Sequence, residues 1–176
     1  VNSQYSLIIQ VGGAIYGFAS AYVRSFIPMF QSAYAGGEVQ TARKIIEKSL
    51  SLYWILIVVC TIGVWFVGFP VLFLVKKGFS PDGLLYFALV VYLAVWNHHS
   101  LCCNYIISTN EIPYLPAYIV SAIAGFVLSY VLISFTGMGV WALVVGNGAA
   151  QLAYNNWKWP IYLARKFSSH YFALIR

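Results

Sequence analysis

The sequence predicts an all-α polytopic membrane protein with five transmembrane helices, and three observations carry that expectation. Hydrophobic residues make up 61% of the chain and charged residues only 8%, where a soluble domain has about a quarter charged. Mean hydropathy is +0.79. The basic residues gather in short clusters between long apolar runs, and the 176 residues suit five spans of about 20 residues each. A single membrane domain over 1–176 is therefore expected. The chain opens at Val1, without a methionine or a basic leader, and enters apolar sequence within a few residues. It is expected to be a fragment of a longer protein.

The predicted helices run over about 5–33, 42–75, 84–109, 114–135 and 140–166, each bounded by turn chemistry. Ala35-Gly36-Gly37-Glu38 ends the first, Lys77 to Gly83 separates the second from the third, and Thr136-Gly137-Met138-Gly139 separates the fourth from the fifth. Between the third and fourth, Thr109 to Pro116 carries two prolines and one acid, which reads as a tight hairpin turn. The second helix starts with Arg43, Lys44, Glu47 and Lys48 alternating with Ile45, Ile46 and Leu50. That amphipathic stretch is expected to lie along the membrane surface.

Charge position sets the topology. Alternating sides groups Arg43, Lys44, Lys48, Lys158, Arg165, Lys166 and Arg176 on one face, against Lys76 and Lys77 on the other. By the positive-inside rule the richer face is cytoplasmic, as is the C-terminus. This accounts for the net charge of +6 without a nucleic-acid partner; membrane lipids are the expected surroundings.

Helical periodicity then says which helices turn a polar face inward. In the first helix Gln10, Gly13, Gly17, Ala21, Arg24, Pro28 and Gln31 form a small, polar stripe. The third carries Asn97, Ser100, Asn104, Ser108 and Glu111, and the fifth Asn147, Gln151, Tyr154, Asn155 and Lys158. A lipid-facing helix has no use for such amides, whose polar groups need protein or water partners inside a bilayer. These three helices are expected to surround a hydrated cleft. The second helix shows no seam and is placed toward lipid. In the fourth, Ser121, Gly125 and Ser129 have the small-xxx-small spacing of close helix packing.

Individual residues leave alternatives open. Arg24 would cost about 2.5–3.5 kcal/mol at a helix centre, which marks a functional residue by default, yet it lies near a helix end from which its side chain can snorkel. His98 with Cys102 and His99 with Cys103 stand four apart, a spacing that can serve one metal. The two pairs point about 100° from each other, so a histidine hydrogen-bonded at an interface or in a cavity is the reading taken, and its protonation could couple to transport. No metal or cofactor is predicted, and the three cysteines are expected as free thiols. Trp157, Lys158 and Trp159 suit an interfacial anchor, which leaves Asn155, Asn156 and Gln151 as either cavity groups or interhelical glue. Pro160 removes the donor to the Asn156 carbonyl and is expected to kink the helix there.

Glu38, Glu47, Asp82 and Glu111 all fall in turns or at helix ends, so no embedded carboxylate pair exists for acid–base work. No phosphate-binding loop, metalloprotease motif or nucleophile elbow is present. A chain with an embedded arginine and no embedded acid favours an anionic or sugar-rich ligand.

Tyr154-Asn155-Asn156-Trp157-Lys158-Trp159-Pro160 resembles the ending of the oligosaccharide flippases, the O-antigen and polysaccharide-unit translocases of the multidrug/oligosaccharidyl-lipid/polysaccharide exporter superfamily. Asn97-His98-His99 and Thr109-Asn110-Glu111-Ile112-Pro113 are similar to an earlier helix and its turn in the same family. The resemblance implies about twelve helices in two six-helix lobes, with this chain supplying the last five of the second lobe. The absent partner is then the N-terminal lobe of the same protein, and the polysaccharide polymerase machinery is a further partner. It implies a non-enzymatic transporter moving undecaprenyl-pyrophosphate-linked oligosaccharide across the bacterial inner membrane by alternating access. Carried to this sequence, the cavity residues are Asn97, His98, Asn155, Asn156 and Lys158. Arg24, Asn104 and Gln151 are added from their own charge and spacing. A drug/cation antiporter or lipid II flippase of the same superfamily is the alternative within transport. A membrane-embedded glycosyl- or acyltransferase using His98 or His99 is the alternative of another class.

Overall fold

The computed structural model describes residues 2–75 and 82–168. Lys76 and Lys77, most of the turn from Lys77 to Gly83, and Arg176 lie outside those residues. The described chain is all helical: α1 (Asn2–Arg24), α2 (Ile27–Ala35), α3 (Val39–Gly63), a π-helical turn (Val64–Gly68), α4 (Phe69–Val75), α5 (Gly83–Ile107), α6 (Leu115–Phe135), α7 (Trp141–Ala153) and α8 (Asn155–Lys166). Four stretches are long and apolar enough to cross a membrane: Ser6–Ala35, Val39–Leu74, Gly83–Ile107 and Leu115–Phe135.

Each interruption has a chemical cause. Pro28 has no N–H for the Arg24 carbonyl, and the first predicted helix, expected whole over 5–33, divides there into α1 and α2. Pro70 does the same to Phe66. Just before it the second helix loosens by one residue, with the Phe69 N–H reaching the Val64 carbonyl in a π turn.

The fifth predicted helix, 140–166, also breaks, at Tyr154 (φ −146°, ψ −58°), although the kink was expected at Pro160. Pro160 lies inside α8 instead. The Asn155 side chain is drawn into bonds with its neighbours, and the Trp157 indole donates to the Ala153 carbonyl at 3.3 Å, satisfying an acceptor left open by the break. Asparagines favour such side-chain bonding over helix continuation.

The central helix is α5. Tyr16 of α1 donates to the Val90 carbonyl at 2.9 Å and Tyr53 of α3 to the Ala94 carbonyl at 2.8 Å. From α5, Tyr86 donates to the Thr61 carbonyl at 3.0 Å, and Tyr105 shares a 2.6 Å bond with Ser49. The expectation that the second helix has no polar seam from Leu52 to Val75 is therefore corrected at Tyr53 and Thr61, which are buried toward α5, with Ser49 buried one turn before them. Tyrosine escaped the search because its ring counts as apolar while its hydroxyl does the bonding.

The amphipathic start of α3 packs its apolar side on protein. Ala42, Ile46 and Leu50 are buried in a cluster with Phe30 and Ala33 of α2, and α3 is continuous from Val39 to Gly63. At 1.5 Å per residue, Val39–Leu74 is about 54 Å long against a hydrocarbon core of about 30 Å. Val39–Leu74 is thus longer than that core is thick, and the end of the bundle that holds Arg43, Lys44 and Lys48 is what we call the basic end.

The α6–α7 pair packs as its spacing predicts. Ser121, Gly125 and Ser129 are the buried residues of α6. A Cβ on Gly146 would lie 2.6 Å from the Ser129 nitrogen and 2.8 Å from its Cα, and one on Gly125 would lie 2.8 Å from Asn147 Oδ1. On α1 the situation is the opposite, since a Cβ on Gly13 or Gly17 meets nothing within 4 Å. Gly17→Ala is therefore expected to leave thermal stability in detergent within about 0.5 kcal/mol of the parent, or to raise it slightly through helix propensity. A loss above about 1 kcal/mol would mean that α1 packs there on something beyond these helices.

Candidate functional site

The three polar seams do not converge on one cleft. On α1 the predicted stripe faces outward: Gln10, Gly13, Gly17, Ala21, Arg24, Pro28 and Gln31 are all exposed. Its buried side is Ile8, Gly12, Ile15, Tyr16, Ala19, Ser20 and Val23. Beside the stripe runs a second exposed strip of bulky side chains, with Phe18 60%, Tyr22 47% and Met29 58% exposed. The outer surface of α1 and α2 is thus divided lengthwise into an apolar half and a small, polar half.

Arg24 closes the polar half at the helix break. It takes part in neither ion pair among the described residues, which are Arg43–Glu47 at 2.9 Å and Lys166–Glu111 at 2.7 Å. Lys48 of α3 lies 5.9 Å from the ring of Phe26, the second residue after Arg24, which brings a second cation to the helix break from α3. Arg24 is roughly 18 Å from the turn at Gly36 by helical rise, inside the candidate span Ser6–Ala35.

On α5, Asn97 hydrogen-bonds Ser20 of α1. One exposed group of the stripe reaches this seam: Gln31 Nε2 donates to Ser108 Oγ at 3.3 Å, and Ser108 in turn donates to the Asn104 carbonyl at 2.9 Å. Asn104 itself is half-buried. The two histidines separate by helical phase. His98 sits 5.2 Å from the Trp54 ring and 6.2 Å from the Tyr53 ring, both on α3.

His99 points the other way and is fully buried. Its neighbours are the Tyr118 ring of α6 at 5.5 Å, the Val95 backbone and the Asn156 side chain of α8. Of the two histidines, His98, named among the cavity residues, faces α3, and it is His99 that stands beside Asn156. The one-residue step of about 100° decides this, and the Tyr118 side of α5 was the missing signal. Among the described residues no three His, Cys, Asp or Glu side chains gather as a metal set.

The amides of the fifth helix turn to α6. Asn155 is completely buried and its Nδ2 donates to Ser121 Oγ at 2.6 Å and to Gln151 Oε1 at 2.9 Å, while Trp159 Nε1 donates to its Oδ1 at 2.8 Å. Gln151 Nε2 also reaches Ser121 Oγ at 3.4 Å, and Asn147 Nδ2 bonds Ser129 Oγ at 3.1 Å. Of the two alternatives left open for Gln151 and Asn155, both side chains make the interhelical bonds, to Ser121 of α6. Trp157 is 48% exposed and Trp159 is buried, so only the first suits an interfacial anchor. Lys158 is half-buried, with its ammonium 5.9 Å over the Tyr154 ring.

The α5–α6 turn is pinned to α8. Glu111 accepts from Lys166 at 2.7 Å and from Tyr162 at 2.8 Å, and Lys166 also reaches Thr109 Oγ1 at 2.8 Å. The Lys166 bond, followed by the Tyr162 bond, holds the Glu111 carboxyl below its ordinary value of 4.5. A carboxylate so lowered stabilises the fold above its ordinary value and stops doing so as pH falls through the lowered one. Acid unfolding of Glu111→Gln is accordingly expected to lose the part of its pH dependence that lies below 4.5; an unchanged acid profile would remove the pin from the account.

Comparison with protein-family models, with curated proteins and with solved structures returned no match. The fold and its candidate spans define a class, a multi-pass helical membrane protein.

Proposed function

We propose that this chain belongs to a flippase that moves undecaprenyl-pyrophosphate-linked oligosaccharide across the bacterial cytoplasmic membrane by alternating access, for O-antigen or other surface polysaccharide. In this reading it forms most of the second lobe of a twelve-helix transporter, with its basic end and C-terminus cytoplasmic. No chemistry is performed on the substrate. What supports the reading is one observation: the outward face of α1 is split, and its small, polar half ends in Arg24, free of any carboxylate among the described residues. Glycine and glutamine gain nothing from lipid, and an arginine at that depth needs water or an anion.

A strip of this kind is suited to one wall of a hydrated cavity, whose other wall comes from the N-terminal lobe. Glycines keep the wall flat enough for a bulky, hydroxylated ligand to pass. Arg24, with Lys48 beyond the break, supplies positive charge for a pyrophosphate, and Gln10 and Gln31 supply amides for sugar hydroxyls. Asn97 holds α5 against the wall through Ser20 instead of entering it, and Asn155 and Gln151 fix α7 and α8 behind it.

The test is complementation in a bacterium lacking its own repeat-unit flippase, with the full-length parent gene. The parent is expected to restore surface polysaccharide, and Arg24→Ala, at equal membrane abundance, to lose most of it, while Arg24→Lys retains part. Full activity of Arg24→Ala would remove Arg24 from the site. Failure of an abundant parent in strains supplying several different repeat units would reject the flippase reading.

A further inference from the structure

The helices do not adhere equally, and the unequal contacts divide the bundle. On one side α6 and α7 approach to backbone contact through Gly125, Ser129 and Gly146, leaving no room for a methyl group at the glycines. Asn147 and Gln151 add side-chain bonds across the same interface. On the other side, α7 meets α5 loosely. Of the buried α7 residues, Val144 alone joins the apolar cluster of Leu85, Tyr86, Leu89 and Val90.

Two cavities lie along that second seam. One of about 470 Å³ is lined by Leu84, Ala88, Val91 and Val95 of α5 with Val144 and Leu152 of α7. The other, of about 200 Å³, is lined by Ile9, Leu89, Leu93, Leu143 and Asn147. Tyr92 lines both. Both are open grooves, with Leu84, Val91 and Leu152 exposed in the first and Ile9 in the second, so α5 and α7 do not close on each other along this seam.

The ends of the α6–α7 pair are built as pivots. The chain leaves helical geometry at Tyr154, and the turn before α6 passes through Asn110 at φ +61°. The 108–114 turn lies at the basic end, and Tyr154 lies about 18 Å deeper by the rise of α8 to Lys166. At the turn Glu111 and Thr109 are tied to Tyr162 and Lys166 of α8, and Asn155 binds Ser121 beside the break. The opposite end of the pair is an exposed turn with Gly139 at φ +54°.

We propose that α6 and α7 move as one rigid hairpin against α1–α5 and α8, pivoting at Tyr154 and at the 108–114 turn and opening along the α5–α7 seam away from the basic end. Hinged motion of this kind places the dihedral change in a few terminal residues and leaves packed pairs intact. The proposal holds whatever substrate the chain handles.

Pulsed electron–electron resonance on the full-length protein in lipid nanodiscs tests it, with spin labels carried by non-natural residues at exposed positions. Val145 with Ile62 reports α7 against α3, Val127 with Val145 reports within the hairpin, and Phe18 with Ile62 reports within the remainder. The first pair is expected to show a second distance or a broad distribution, and the other two a single narrow one. A Cβ at Gly148 would meet Tyr92 Cδ2 at 3.6 Å, an ordinary contact, so Gly148→Ala adds a methyl to the loose seam without a clash. It is expected to shift the first pair toward its shorter distance. A first pair as narrow as the others, a Val127–Val145 pair as broad as the first, or no shift in Gly148→Ala would each overturn the proposal.

Discussion

Gly146→Val is expected to unfold the α6–α7 hairpin. The first atom added to Gly146 falls 2.6 Å from the Ser129 nitrogen and 2.8 Å from its Cα, and backbone cannot rotate aside as a side chain would. Overpacking in a fitted core costs about 1–3 kcal/mol even where side chains absorb the strain, so a branched side chain against backbone sits at or above that range. Gly146→Ala is expected at about 2 kcal/mol. Unfolding in detergent would read both. A Gly146→Ala variant as stable as the parent would show that the two helices lie farther apart than described here.

The second large effect is expected from Asn155→Ala. Asn155 is completely buried and bonds Ser121, Gln151 and Trp159. Removing one amide leaves an indole N–H and a glutamine oxygen without a partner, and each buried unsatisfied group costs about 1–3 kcal/mol. Interhelical bonds inside membranes average about 0.6 kcal/mol, which pulls the sum down to roughly 2–4 kcal/mol. Two readouts should move together: loss of stability, and a red shift in emission as the Trp159 environment opens. Loss of transport at unchanged stability would instead return Asn155 to the substrate site.

Much of the fold was legible because its signals are local. Apolar length predicts the spans, and glycine and proline mark Gly36, Gly139 and Pro113 as turns. Ser121, Gly125 and Ser129 announce close packing through their spacing alone. The site was less legible, since periodicity identifies a helical face but not its neighbour. Gln10, Gly13 and Arg24 share a face as expected, yet that face looks outward. Gln151 and Asn155 share one too, and it meets the serines of α6. The histidines show the same limit at one-residue resolution, where His98 meets Trp54 and His99 meets Asn156. The break at Ser25 follows from Pro28, whereas the one at Tyr154 depends on which carbonyls find donors, a question of tertiary contact that composition does not answer.

The account rests on water, not lipid, lying against one half of α1. Single cysteines at Gln10, Gly13, Gly17 and Ala21, compared with Ala14, Phe18 and Tyr22, test that directly in the full-length protein in native membranes. All seven positions are exposed on the same helix, so only the medium differs. A water-soluble maleimide reacts with the thiolate, which forms where water reaches. Labelling is predicted at Gln10→Cys, Gly13→Cys, Gly17→Cys and Ala21→Cys and not at the other three. Equal labelling along both strips, or none on either, would contradict a hydrated cavity at this face.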